Sequence, residues 1–199
     1  MPYSYTNRQG KTHFFRAVPT KSGKYRYYVT TSDEYPNLIE DIPNGFEVAE
    51  LPEEAKVVIR KIKQVYTTQE EKEIVYDTIE DFSAMKDFFI HAEGDYLSVY
   101  HSQFSSTGGQ EQNLSRVEAI EYFGKNIERW MRFFTALRFQ LVDKQKRLFQ
   151  TERVVFLGFY AHDFHPVGEI GAIEYVAKKY GQHLGRDSFF DIVPNGFED

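Results

Sequence analysis

The densest group of residues able to do chemistry is His162-Asp163-Phe164-His165-Pro166, with Glu169 close behind. Two neutral imidazoles and a carboxylate supply the N and O donors that Zn²⁺ or a non-haem iron accepts. His162, Asp163 and His165 are therefore the candidate metal ligands, and a divalent metal such as zinc or iron is the candidate cofactor. A further ligand would come from His183, His13 or elsewhere. The spacing does not follow the helical H-E-x-x-H logic, because Pro166 and Gly168 point to a loop. The competing reading is a polar loop leading into a helix, with Asp163 or His165 near the cap.

Charge offers a second kind of chemistry. Arg8, Lys11, Arg16, Lys21, Lys24 and Arg26 are the only charged side chains before Asp33. The whole chain holds 24 basic and 30 acidic residues, so residues 33–199 hold 18 and 30, and a +6 segment adjoins a −12 remainder. Aromatic residues interleave with these cations. Arg16, Lys24, Tyr25, Arg26 and Tyr27 are thus the candidate binding residues, able to stack rings and to contact anions. Three occupants suit them: an acidic protein partner, the chain's own acidic body, or a single-stranded nucleic acid. An acidic chain is a poor general binder of nucleic acid, since phosphate attraction depends on the basic groups presented.

Other motifs carry less. Gly108-Gly109-Gln110 matches the tripeptide of peptide release factors, but it lies in a Ser/Gly/Gln-rich stretch that reads as a linker. His101-Ser102 with His91 and Asp95 lacks a G-x-S-x-G elbow. Glu70, Glu71, Glu73, Asp77, Glu80 and Asp81 read as a solvated helix face. No phosphate-cradling glycine loop is present. Asn113-Leu114-Ser115 fits a glycosylation sequon, which a chain without a secretory signal would not use.

These residues need elements to position them, and the pattern is α+β: antiparallel strands and hairpins with about three helices. Thr12–Val18 and Lys24–Thr31 read as a hairpin across Pro19-Thr20-Lys21-Ser22-Gly23. On it Phe14, Arg16 and Val18 oppose His13, Phe15 and Ala17, and Tyr25, Tyr27 and Val29 oppose Arg26, Tyr28 and Thr30. Phe46–Glu50 and Val57–Ile62 form a further strand pair. A capping box at Thr67 or Thr68 with Glu70 or Glu71 opens a helix whose stripe is Ile74, Thr78 or Ile79, Phe82 and Met85. Phe88–Glu93 and Tyr96–Gln103 flank the hairpin signal Gly94-Asp95. Ser105–Asn113 reads as a loop. Ser115 and Glu118 box a second helix running through Val117, Ile120, Phe123 or Gly124, Ile127 and Trp130. Phe133–Val142 and Arg147–Phe156 are strands around Asp143-Lys144-Gln145-Lys146. Gly168-Glu169 opens a last helix with Ile170, Ile173, Val176, Ala177 and Tyr180 as its stripe and Gly181 as its stop. Asp41-Ile42-Pro43-Asn44-Gly45-Phe46-Glu47 recurs near the end as Asp191-Ile192-Val193-Pro194-Asn195-Gly196-Phe197-Glu198, either a shared turn or a duplicated element.

The expected organisation is a single domain over 1–199, with a possible N-terminal β-subdomain at 1–64 and an α+β body at 65–199. The chain has no cysteine, which removes disulfides and thiolate chemistry. No apolar run approaches the ~18 residues of a membrane span. A cytoplasmic protein without membrane attachment is the expectation.

Tyr27-Tyr28-Val29-Thr30, the Ile42–Glu47 turn and Arg60-Lys61 resemble a block near the N-terminus of bacterial proteins of unknown function. Leu137–Gly158, with Arg138-Phe139, Arg147-Leu148-Phe149 and Glu152-Arg153, is similar to their C-terminal half. The resemblance implies an intact bacterial protein and brings no activity with it. The residues themselves point first to a non-enzymatic binding or interaction protein using the basic aromatic hairpin. A metal-dependent enzyme at His162, Asp163 and His165, and single-stranded nucleic-acid binding through the hairpin, are the alternatives.

Overall fold

The structure is a computed structural model describing residues 1–105, 113–155 and 163–196. In chain order the elements are β1 (Ser4–Thr6), β2 (Thr12–Pro19), β3 (Tyr25–Thr30), β4 (Phe46–Glu50), β5 (Val57–Lys61), α1 (Gln69–Phe82), β6 (Phe88–Glu93) and β7 (Tyr96–Ser102). There follow α2 (Arg116–Phe123), α3 (Ile127–Trp130), β8 (Phe133–Asp143), β9 (Leu148–Val155), β10 (Asp163–Gly171), α4 (Ile173–Gly181) and a 3₁₀ turn at Asp187–Phe189. All sheet pairings are antiparallel, so the fold is α+β. Among the described residues no helix is long and apolar enough to cross a membrane. The chain divides into two compact units, Met1–Lys63 with Lys125–Arg132, and Gln64–Gly124 with Phe133–Asp199.

In the N-terminal unit, β2 is the middle strand of the order β1-β2-β3. Its turn to β3 closes at Gly23, whose φ of 77° suits a residue without Cβ. Beyond β1, the same edge of β2 continues through Ala17 N–H to Asn37 O (3.0 Å) and Ile39 N–H to Phe15 O (2.9 Å). Phe15, Ala55, Val57 and Met131 are buried here. Arg8 ties the unit together: its guanidinium donates to Glu50 Oε1 (3.1 Å), Pro52 O (2.5 Å) and Met131 O (3.1 Å).

The C-terminal unit is a five-stranded sheet of order β10-β9-β8-β7-β6. Alternation puts Leu97 and Val99, Leu137, Phe139 and Leu141, and Phe149 on one face, all buried with Val75 and Ile79 of α1 and Val176, Ala177 and Tyr180 of α4. Each such side chain contributes about 1.5–3 kcal/mol on leaving water. Arg153 is a buried cation that donates to Phe189 O (2.5 Å), anchoring the 3₁₀ turn.

Local signals in the sequence match these elements at the hairpins and caps. Thr68 and Glu71 form a complete capping box on α1, and Ser115 and Glu118 another on α2. Four expectations need correction. The buried face of α1 is Glu71, Val75 and Ile79, while Phe82 is 42% exposed. Glu71 is no solvated carboxylate: the Arg147 guanidinium donates to its Oε1 (2.8 Å) and Oε2 (2.5 Å), so the helix turns this row inward. The second helix stops at Phe123, because Gly124 caps it at φ 85° with its N–H on Ile120 O. Val117, Tyr122 and Trp130 are exposed, and Ala119 is the buried residue of α2.

The fourth correction concerns His162–Pro166 as a loop before a helix at Gly168. From Asp163 the chain is strand β10, paired with β9 through to Gly171, and α4 begins only at Ile173. A register shift between Val167 and Gly171 lets the strand continue past Gly168, which lies at φ 58°. A Cβ there would sit 1.6 Å from the Tyr180 hydroxyl. The repeated Pro-Asn-Gly turns share one device, a glycine at positive φ (80° at Gly45, 85° at Gly196). Their partners differ: Phe46 N–H bonds Pro43 O, whereas Asn195 N–H bonds Pro166 O. Phe197-Glu198, the Ser105–Asn113 expectation from 106 to 112 with its Gly108-Gly109-Gln110, and Phe156–His162 lie outside the described residues.

Candidate functional site

The β2–β3 register sorts the expected binding residues onto two faces. Phe14 pairs with Thr30, Arg16 with Tyr28 and Val18 with Arg26, while Phe15 pairs with Val29, Ala17 with Tyr27 and Pro19 with Tyr25. Partners on adjacent strands point to the same side. Phe15 is fully buried, and the Tyr27 ring meets Phe46 edge-on at 4.8 Å, so theirs is the inner face. Arg16, Arg26 and Tyr28 therefore share the outer one. Of the expected set, Arg16 and Arg26 come together, Tyr25 and Tyr27 fall on the opposite face, and Lys24 sits in the exposed turn between the strands.

On the outer face Arg16 is held between two rings, its guanidinium carbon 5.4 Å from the centroid of Tyr28 and 4.7 Å from that of Tyr35. Such stacking uses the planar guanidinium and leaves its in-plane N–H groups available. The turn is ordered by Thr20, whose hydroxyl donates to Lys24 O (2.8 Å) and whose N–H bonds the same oxygen (2.7 Å). Beside it runs an open groove of about 480 Å³ lined by Val18, Thr20, Lys21, Arg26 and Tyr28, among others.

Electrostatics set this face apart. Among the described residues Arg16, Lys21, Lys24 and Arg26 make no ion pair, whereas in the same unit Arg8 pairs with Glu50 and Arg60 with Glu47. The N-terminal unit holds 13 basic and 9 acidic residues, and the C-terminal unit 11 and 21. The sign segregation of the sequence thus coincides with the division into units. Chemically the face offers hydrogen-bond donors and rings, which suits recognition of anions.

The candidate metal ligands lie elsewhere. His162 is outside the described residues. Asp163 and His165 are two apart on β10, hence on one face of that strand, opposite Val155 and Arg153 of β9. Among the described residues no group of three or more His, Asp or Glu side chains is arranged to hold a metal ion. His91 and His101 are not neighbours across their hairpin: His91 pairs with Ser98 and His101 with Phe88. His101 is buried, and its Nδ1 lies 2.9 Å from Ser102 O and 2.6 Å from Ser105 O, which requires the proton on Nδ1. Burial lowers its pKa against the pull of those two carbonyls.

Two features had no local signal. Tyr35 reaches Arg16 from an irregular segment 19 residues on. Ala55, buried at φ 56°, bends the β4–β5 loop although nothing in Glu53-Glu54-Ala55-Lys56 marks a left-handed residue. No protein-family model, curated protein or solved structure matches this chain.

Proposed function

We propose that this chain is a binding protein whose N-terminal sheet receives an acidic surface of a protein partner through Arg16, Lys21, Lys24 and Arg26. The carrying observation is that these four cations form no ion pair among the described residues while Arg16 is held in place by Tyr28 and Tyr35. A guanidinium already ordered by two rings loses little freedom when it takes up a carboxylate, and its fork matches the two oxygens. Unpaired basic groups also steer an acidic partner during encounter. A protein carboxylate is favoured over nucleic acid, because Arg16 already occupies the Tyr28 and Tyr35 rings that bases would stack on.

The test is fluorescence anisotropy of a labelled glutamate-rich peptide titrated with the full chain. Binding should weaken steeply as salt rises from about 0.05 M to about 0.5 M, where the screening length shrinks several-fold. Arg16→Ala with Arg26→Ala should weaken it at least about tenfold. An unchanged affinity in that double variant overturns the reading, and so does tighter salt-sensitive binding to oligothymidylate than to the peptide.

A further inference from the structure

In the N-terminal unit β3 is an edge strand: it ends the order β1-β2-β3, while β4 and β5 form a separate two-stranded sheet. Which of its backbone groups are left over follows from β2. Ala17 N–H bonds Asn37 O (3.0 Å) and Ile39 N–H bonds Phe15 O (2.9 Å), so Phe15 and Ala17 turn their backbone groups away from β3. Phe14, Arg16 and Val18 then exchange bonds with Thr30, Tyr28 and Arg26, their partners in the register. Alternation leaves Tyr25, Tyr27 and Val29 with N–H and C=O directed outward. Among the described residues none of these six groups makes a backbone hydrogen bond.

Open edges are ordinarily blunted, since they template pairing with another chain. In the C-terminal unit the β10 edge shows how: it carries Pro166, a register shift after Val167, and Asn195 N–H on Pro166 O (2.8 Å). β3 has no proline, no lysine and no bulge along its length, and its register with β2 is regular. Its one charge is Arg26. A second copy of β3 laid antiparallel on this edge would gather Arg16 and Arg26 of both copies on one face, which like-charge repulsion opposes. A strand carrying carboxylates is complementary to the same charge. The carboxylates nearest in the chain, Asp33 and Glu34, lie past the Thr30 end and pair with neither arginine.

We propose that the acidic partner adds an extended segment to β3 as an antiparallel strand, an inference that rests on the outer face being the site of that partner. Antiparallel pairing matches every other pairing in the fold. Residues of the added strand opposite Tyr25, Tyr27 and Val29 exchange backbone bonds with β3 and share the inner face, where β-branched side chains cover the exposed Tyr25 ring. Residues opposite Arg26 and Tyr28 share the outer face. Carboxylates there meet the Arg26 guanidinium and lie beside the Tyr28 ring that carries Arg16. The segment recognised is thus one with acidic residues at alternate positions, of the form Thr-Glu-Val-Glu-Thr.

The experiment is ¹H–¹⁵N NMR of the full chain at low salt, titrated with that peptide, blocked at both ends, and with two isomers bearing one backbone N-methyl group, at Val or at the second Glu. In the added strand the Val N–H donates to Tyr27 O, whereas the Glu N–H points away from β3. The Val-methylated isomer should bind at least about tenfold more weakly than the parent, and the Glu-methylated isomer within about twofold of it. Saturation with the parent should slow solvent exchange of the Tyr25, Tyr27 and Val29 amides and leave Arg26 and Tyr28 little changed. Equal affinity of the two isomers overturns the edge pairing and leaves the acidic-partner reading standing. If the parent fails to saturate while a glutamate-rich peptide without the alternation binds, the edge pairing again fails alone; if neither binds, both fail. Tyr27 and Val29 amides protected in the peptide-free chain, and more so as its concentration rises, overturn the proposal in favour of a second copy.

Discussion

Replacing Glu71 by Ala tests how the C-terminal unit joins a helix to a sheet hairpin. Glu71 does two jobs at the start of α1. Its Oε2 accepts from Thr68 N–H (2.8 Å), completing the capping box, and both its oxygens accept from Arg147 at the tip of the β8–β9 hairpin. Arg147 reaches this position at φ 53° and also donates to Tyr66 O (3.2 and 3.3 Å). Loss of a cap costs about 1 kcal/mol. The two charge-assisted bonds would add about 1.5–3 kcal/mol each if fully buried. The Arg147 side chain is 36% exposed, so water recovers much of that on mutation. The expected loss is therefore about 2–3 kcal/mol in all, read by urea unfolding followed by far-UV circular dichroism. A double-mutant cycle with Arg147→Ala should give a coupling of about 1–2 kcal/mol. A coupling below about 0.5 kcal/mol would refute the idea that this pair clamps α1 to the hairpin.

Three further outcomes are expected. Gly185 sits at φ 78° with the Ala84 carbonyl carbon 2.7 Å from where a Cβ would be, so Gly185→Ala should destabilise by several kcal/mol, on the order of a strained core change, as measured by the same unfolding curves. Burial lowers the pKa of His101 and of His13 below that of the unfolded chain, so the unfolded state takes up protons first as pH falls. Stability should accordingly drop from about pH 6.5 downward, and His101→Asn should flatten that slope in a pH series of melting temperatures. Asn7→Ala removes the bonds to Lys11 N–H and Ala55 O, and a cost of about 1–3 kcal/mol should follow, with amide exchange at Ala55 and Lys11 accelerating.

What could be read in the sequence was local chemistry. Glycines 23 and 94 mark hairpin turns because their positive φ is free of a Cβ clash, and both capping boxes announce their helices within four residues. The α+β class follows from those signals. Helix phase did not, because which side of α1 turns inward is decided by Arg147, 76 residues away, and by the sheet beneath. Pro166 and Gly168 read as helix-approach signals, yet Pro166 pairs with Glu152 on an edge strand, where its missing N–H costs nothing. At the candidate site the alternation on β2 and β3 was legible down to the faces. The sequence did not reveal that Tyr35 completes the clasp on Arg16, or that the strand register sets Tyr28 rather than Tyr25 or Tyr27 beside it, since both depend on which residues the fold pairs.

The outer face of β2 and β3 is proposed to take an acidic partner. The most direct measurement is amide chemical-shift mapping of the full chain with an unlabelled glutamate-rich peptide at low salt. Saturable shifts should concentrate at Arg16, Lys21, Lys24, Arg26 and Tyr28 and be abolished by Arg16→Glu with Arg26→Glu. Shifts spread without focus over lysines and arginines of both units, or persisting in the charge-reversed chain, would contradict it.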